Sequence, residues 1–134
     1  MTGPVFLDTV GLLALWDEHD KWHAPAASAY RNLREGKAFL ITTSFVLLEC
    51  ANAAAKRPYR LSVIDLQQFL EASGGLIFPT DEDWRAAWQA YQRGEAGQAG
   101  IVDQISFIVM RRLGLTQAFT NDRHFQAAGF ETLF

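Results

Sequence analysis

The chain predicts an α/β domain: three layers, with a mostly parallel sheet of four to five strands and helices on both faces. Short apolar runs of strand length alternate with segments of helical periodicity, and strands separated by helices make βαβ units. The first run, Val5-Phe6-Leu7, is apolar throughout, as a buried parallel strand is, and does not alternate as a half-exposed one does. With 134 residues and 49% hydrophobic content there is material for one three-layer core, so residues 1–134 read as a single domain.

The elements follow in order. After Val5–Leu7 comes a helix from about Gly11 to Trp16, then the polar loop Asp17-Glu18-His19-Asp20-Lys21. His23 starts a helix that runs through Ala26, Ala27, Tyr30 and Leu33 to Arg34 and stops at Gly36. Ala38–Thr42 is the second strand. Thr43 or Ser44 caps a helix reaching about Lys56, where Pro58 ends it. A helix over Ser62–Ala72 and the turn Gly74-Gly75 lead into the third strand, Leu76-Ile77-Phe78. Thr80-Asp81-Glu82-Asp83 has capping-box form, and Trp84, Ala87, Trp88 and Tyr91 continue at helical spacing; an aromatic stripe of that kind is expected in the core, with a partner groove as the alternative. Residues 93–100, rich in glycine, read as a mobile connection. Ile101–Leu113 is apolar almost all round and should be buried on more than one side until Gly114 ends it. Gln117–Thr120 is a fourth strand, Asp122–Ala128 a short helix, and Glu131–Leu133 an edge strand.

Composition narrows the function. Charge is modest, and no apolar stretch is long enough to span a membrane. Asp8 interrupts the first apolar run, so no signal peptide is recognised. The single cysteine, Cys50, reads as buried filler; it excludes an intramolecular disulfide and zinc-finger sites, and fits a reducing cytoplasm. A formal charge of −3 and pI near 5.5 do not announce a nucleic-acid binder by bulk electrostatics.

Four acids stand in unusual places. Asp8 closes the first strand and Asp122 follows the fourth by two residues, so both fall on one rim if those strands are neighbours. Glu49 and Asp103 lie in apolar helical stretches, where a lone carboxylate is costly to desolvate. Each has an ordinary alternative. Asp8 and Asp122 can cap the helices that follow, Asp103 can sit favourably on a helix dipole, and Glu49 can pair with Lys56 or an arginine. Together they fit one site for a hard cation, Mg²⁺ or Mn²⁺, since no soft ligand set for zinc exists. Such ions assist phosphodiester hydrolysis by acidifying water and neutralising the leaving oxygen. Setting four of the 15 acids aside leaves 11 against 12 basic residues, so net charge does not exclude an RNA substrate.

Phe6-Leu7-Asp8-Thr9, the mid-helix Glu49, Asp103 with Ser106-Phe107, Met110-Arg111-Arg112 and Gly114, then Thr120-Asn121-Asp122 with His124-Phe125 and Gly129-Phe130 resemble the PIN domain, best its VapC-like toxin ribonucleases, over essentially the whole chain. The resemblance implies sheet order 3-2-1-4-5, dependence on Mg²⁺ or Mn²⁺, endonucleolytic RNA cleavage leaving 3′-hydroxyl and 5′-phosphate ends, a homodimer, and a cognate VapB-like antitoxin of a type II toxin-antitoxin pair. It assigns Asp8, Glu49, Asp103 and Asp122 to the acidic quartet that holds metal. Thr120 and Asn121 fall on the Thr-x-Asp element, whose hydroxyl orients a carboxylate or water. Gly100 departs from the pattern where many members have serine, which weakens the helix cap, and Gln104 stands where relatives are often small. A housekeeping nuclease for RNA processing or structured DNA, and a non-catalytic interaction module, are the alternatives. An Asp-x-Asp phosphatase is disfavoured by Val10, and a dinucleotide-binding domain by the lack of G-x-G-x-x-G.

Phosphate contacts are assigned to Lys56, Arg57 and Arg60, and to Arg111, Arg112 and Arg123, with solvated helix ends as the alternative. The acids at 17, 18 and 20 read as a solvated loop and not a second metal site. Trp16 and Trp22, which flank that loop, are candidates for a dimer or antitoxin interface.

Overall fold

The computed structural model describes residues 3–134; Met1 and Thr2, where the segment read as lacking a signal peptide begins, lie outside the described residues. The elements are β1 (Val5–Leu7), α1 (Thr9–Trp16), α2 (His23–Glu35), β2 (Leu40–Thr43), α3 (Ser44–Ala54), α4 (Arg60–Ser73), β3 (Leu76–Ile77), α5 (Asp81–Gln92), α6 (Glu95–Gln98), α7 (Ile101–Leu113), β4 (Gln117–Phe119), α8 (Arg123–Ala127) and β5 (Glu131–Thr132). The strands form one parallel sheet in the order β3-β2-β1-β4-β5, as the resemblance implied.

β1 is central, and its three residues are buried on both faces, which explains the unbroken apolar run. Phe6 faces one layer, where Phe125 of α8 lies 6.3 Å away and itself meets Phe107 of α7 at 4.8 Å. Phe119 of β4 faces the other layer and meets Tyr30 of α2 at 5.5 Å. Right-handed crossovers place α1–α4 on one face and α5–α8 on the other, because the chain reverses its direction across the sheet after β3. α1 packs so closely on β4 that a Cβ at Gly11 would stand 2.1 Å from the Phe119 carbonyl oxygen.

Several boundaries shift. β2 begins at Leu40 and not Ala38, because the Ala38 amide donates to the Leu33 carbonyl and so finishes α2. α1 begins at Thr9, directly after Asp8. The capping box of α5 is present as read, and Thr43 caps α3 by accepting from the Val46 amide at 3.2 Å.

One expectation is overturned. The aromatic stripe of α5 is not in the core: Trp84, Trp88 and Tyr91 are 46%, 37% and 47% exposed. The residues that α5 buries are Asp83, Ala87 and Ala90, because small side chains let α5 approach α7 closely and leave the large rings outside the contact. The glycine-rich connection over residues 93–100 carries a defined backbone. Gly94, Ala96, Gly97 and Gln98 all have left-handed backbone and form a compact turn, α6. The buried Gln104 amide holds it, donating to the carbonyls of Glu95 at 2.9 Å and Ala99 at 3.3 Å. Those bonds offset the cost of two non-glycine residues at positive φ. α7, as expected, is buried on several sides.

Candidate functional site

Register builds the first part of the site. Leu7 pairs with Phe119, so the next residues of the two strands, Asp8 and Thr120, emerge side by side at the carboxyl ends. The Thr120 hydroxyl donates to Asp8 Oδ2 at 2.8 Å and accepts from the Asp122 amide at 3.1 Å. Both side chains are buried. Asp8 does not cap α1 with its side chain, since only its backbone carbonyl serves the helix. Asp122 does cap α8: its Oδ1 accepts from the His124 amide at 2.9 Å and from the imidazole Nδ1 at 2.7 Å. Asn121, half-buried, lies between Thr120 and Asp122.

Glu49 enters from α3. Its side chain is exposed, so the expectation of a desolvated carboxylate fails, as does the buried ion pair offered as the alternative. The preceding residue, Leu48, is also exposed, because this stretch of α3 turns its outer face to the rim. What holds Glu49 is the Thr9 hydroxyl, which donates to Oε1 at 2.6 Å. Cys50 is fully buried beneath them, and burial, reinforced by the charges of Asp8 and Glu49, pushes its thiol up to about 12. It is inert packing at neutral pH.

Asp103 sits in the first turn of α7, whose amino terminus is capped by Gly100 without a side-chain hydrogen bond, as expected where serine is missing. Asp103, Asp122 and His124 each present a ligand atom, all within 4.8 Å of one another. Burial raises Asp8 to about 8, with the charges of Asp103 and Asp122 adding to it against the Thr120 bond. Burial likewise raises Asp103 to about 6, with the charges of Asp122 and Glu49, while His124 opposes. Carboxylates held this closely resist ionising together unless positive charge is supplied. An oxygen-rich donor set under that repulsion fits a divalent metal ion.

The candidate basic residues divide. Arg112 makes a bidentate pair with Asp83 at 3.0 and 2.7 Å, about 13 Å along α7 from Asp103 at the helical rise. Although burial raises it, the Arg112 guanidinium and the Thr80 amide together hold Asp83 below the usual carboxylate range. Arg111 donates to the Ala128 carbonyl and lies over Phe130, and Arg60 donates to the Ala55 carbonyl. Lys56, Arg57 and Arg123 are exposed, with no ion pair among the described residues. In the loop before α2, Asp17 and Asp20 accept from the amides of His19 and Trp22, so these acids shape turns; His23 opens α2 with Nδ1 on the Ala14 carbonyl at 2.9 Å.

Sequence reasoning singled out the four acids but missed the Thr9 bond to Glu49, the Gln104 clamp and the position of His124 beside Asp103. Only the last had a signal: a histidine two residues beyond a capping aspartate returns toward its carboxylate.

The PIN domain family matches residues 5–131. No curated protein matches the chain. Among solved structures, VapC20 of Mycobacterium tuberculosis, described as a Sarcin-Ricin loop cleaving toxin, is similar with a TM-score of 0.77 and 26% identity, covering 94% of this chain and 95% of that one. With strand order, clustered acids and a match over nearly the whole length in agreement, this chain belongs to the PIN domain family.

Proposed function

We propose that this protein is a metal-dependent endoribonuclease acting as the toxin of a toxin-antitoxin pair. The observation that carries the reading is the acid cluster formed where the carboxyl ends of β1 and β4 meet the start of α7, where burial first, and then the neighbouring carboxylates, raise Asp8 to about 8 and Asp103 to about 6. In this reading Asp8, Asp103 and Asp122 hold a divalent cation, Mg²⁺ or Mn²⁺, and Glu49 faces the same rim under the direction of Thr9. When bound, the ion supplies acidity to water and neutralises charge on the phosphate. Thr120 fixes the Asp8 carboxylate and, by accepting from the Asp122 amide, the turn that carries Asn121. Water attacks phosphorus in line, the bond to the 3′-oxygen breaks, and that oxygen leaves with a proton, giving 3′-hydroxyl and 5′-phosphate ends. Lys56, Arg57 and Arg123 are assigned to the RNA backbone.

Two surfaces are assigned to partners. The ladder Phe45, Trp84, Trp88 and Tyr91, with successive rings 6.1, 5.8 and 5.5 Å apart, offers an exposed aromatic face assigned to a two-fold contact with a second copy. A groove of ≈ 310 Å³ among α1, α2 and α4, where Leu12, Leu15, Trp16 and Phe69 are joined by Arg34, Ser62 and Asp65, suits an amphipathic segment of an antitoxin. A cytoplasmic setting completes the proposal; among the described residues no helix is long and apolar enough to cross a membrane.

The test is purified protein with Mg²⁺ or Mn²⁺ and total RNA, with cut ends mapped. The sarcin-ricin loop named for VapC20 is the first defined substrate to try. Cleavage with 5′-phosphate ends, abolished by chelator and by Asp8→Asn or Asp103→Asn in folded protein, supports the reading. Undiminished cleavage in either variant overturns it.

A further inference from the structure

The acids account for a site of oxygen ligands, but the group of ligand atoms that lies within 4.8 Å contains an imidazole as well as two carboxylates. His124 is held there from three sides. Its amide and its Nδ1 both meet Asp122 Oδ1, at 2.9 and 2.7 Å. Phe125, the next residue, is fully buried against Phe107 of α7, which anchors α8 to the helix that carries Asp103. On the open side stands the left-handed turn α6, where a Cβ at Gly97 would come within 3.7 Å of the imidazole Cδ2. The ring is therefore placed beside Asp103, and the two are near enough for His124 to oppose the rise in the Asp103 pKa.

Donor chemistry gives this placement a consequence. Carboxylates alone suit Mg²⁺, whereas imidazole nitrogen favours the first-row transition metals, and Mg²⁺ gains little from a nitrogen donor. We propose that His124 contributes a ring nitrogen to the cation held by Asp103 and Asp122, and that this makes the site prefer Mn²⁺ to Mg²⁺. Where the acids decide that a divalent ion binds, His124 decides which one. The inference rests on the metal-nuclease reading above.

The test reads binding of the metal alone, without RNA. Mn²⁺ and Mg²⁺ are titrated separately by calorimetry into the wild-type protein, His124→Asn and Asp103→Asn, and the Mn²⁺-loaded wild type is examined by electron spin-echo spectroscopy for modulation by ¹⁴N. Asparagine keeps a side-chain N–H for Asp122, and thermal melts of the metal-free variants check folding. Expected are nitrogen modulation in the wild type, lost in His124→Asn, and Mn²⁺ affinity weakened at least about tenfold in that variant against less than about threefold for Mg²⁺. Asp103→Asn should lose both ions. Bound Mn²⁺ without nitrogen modulation, or equal weakening of both ions in His124→Asn, overturns the role of His124 and leaves the nuclease reading standing. No binding of either ion to the wild type overturns both.

Discussion

Thr120 and Asp8 show how much of the site depends on single groups. The Thr120 hydroxyl serves a buried carboxylate and a backbone amide at once, and valine has the same shape without either capability. Thr120→Val should cost about 1–3 kcal/mol by urea unfolding, because two polar groups lose their partner, and cleavage should fall with the misplaced Asp8. An unchanged unfolding midpoint would show the hydroxyl to be idle. The acids also set a pH dependence. Asp8 titrates at about 8 in the folded protein against 3.8 for the free group, so between those values the native state holds a proton that the unfolded chain has released. Its contribution to stability is complete below pH ~4 and lost as pH rises through ~8; Asp103, at about 6, adds a loss that ends earlier. Metal-free protein in chelator should therefore melt at progressively lower temperature from pH 5 to pH 8. Asp8→Asn should flatten most of that slope, and Mn²⁺ should restore stability at the high end by favouring the ionised acids. A melting temperature that stays level across this range in the chelated wild type would contradict the raised values.

Among the elements, α1 and α6 are the most constrained. A side chain at Gly11 would meet the Phe119 carbonyl oxygen at 2.1 Å, and the obstacle is backbone, so it cannot rotate away. Gly11→Ala should destabilise by about 1–3 kcal/mol and, by shifting α1 against β4, disturb Asp8 and Thr9 at the head of that helix. Denaturant titration of the variant decides this. The turn α6 depends on Gln104. Gln104→Leu keeps the buried volume roughly but removes both donors to the turn, so residues 94–98 should become susceptible to limited proteolysis while α7 stays folded. Continued resistance at that segment would mean that the left-handed backbone holds itself. α7 has the more conventional tie: Asp83, buried at the start of α5, receives both arms of Arg112 near its end and locks the two helices in antiparallel register.

At the scale of the whole molecule, the exposed aromatic ladder reaches α3 through Phe45, one helical turn before Glu49, so a partner seated on it would border the acid rim. If the ladder is the two-fold face, Trp88→Asp places a charge at its middle, between rings that Trp88 meets edge to face at 5.8 and 5.5 Å. Light scattering after size exclusion should then show a dimer for the wild type and a monomer for the variant, with the fold unchanged by circular dichroism. A variant that stays dimeric would move the contact elsewhere.

Local information in the sequence determined the alternation of strands and helices, the parallel sheet, the burial of α7 and the acids worth attention, because side-chain periodicity and capping residues act over a few positions along the chain. Its family resemblance supplied the strand order. Tertiary structure decided what lies far apart in sequence. Thr9 reaches Glu49 from 40 residues away, and Thr120 reaches Asp8 from 112. Glu49 proved exposed and the α5 aromatics stayed outside the core, since burial depends on which neighbour arrives, and α7 arrived against Ala87 and Ala90. His124 became a neighbour of Asp103 only when α8 docked on α7 through Phe125. Spacing along a chain fixes which residues share a face; only strand pairing and helix packing bring faces together, and that is where this site is made.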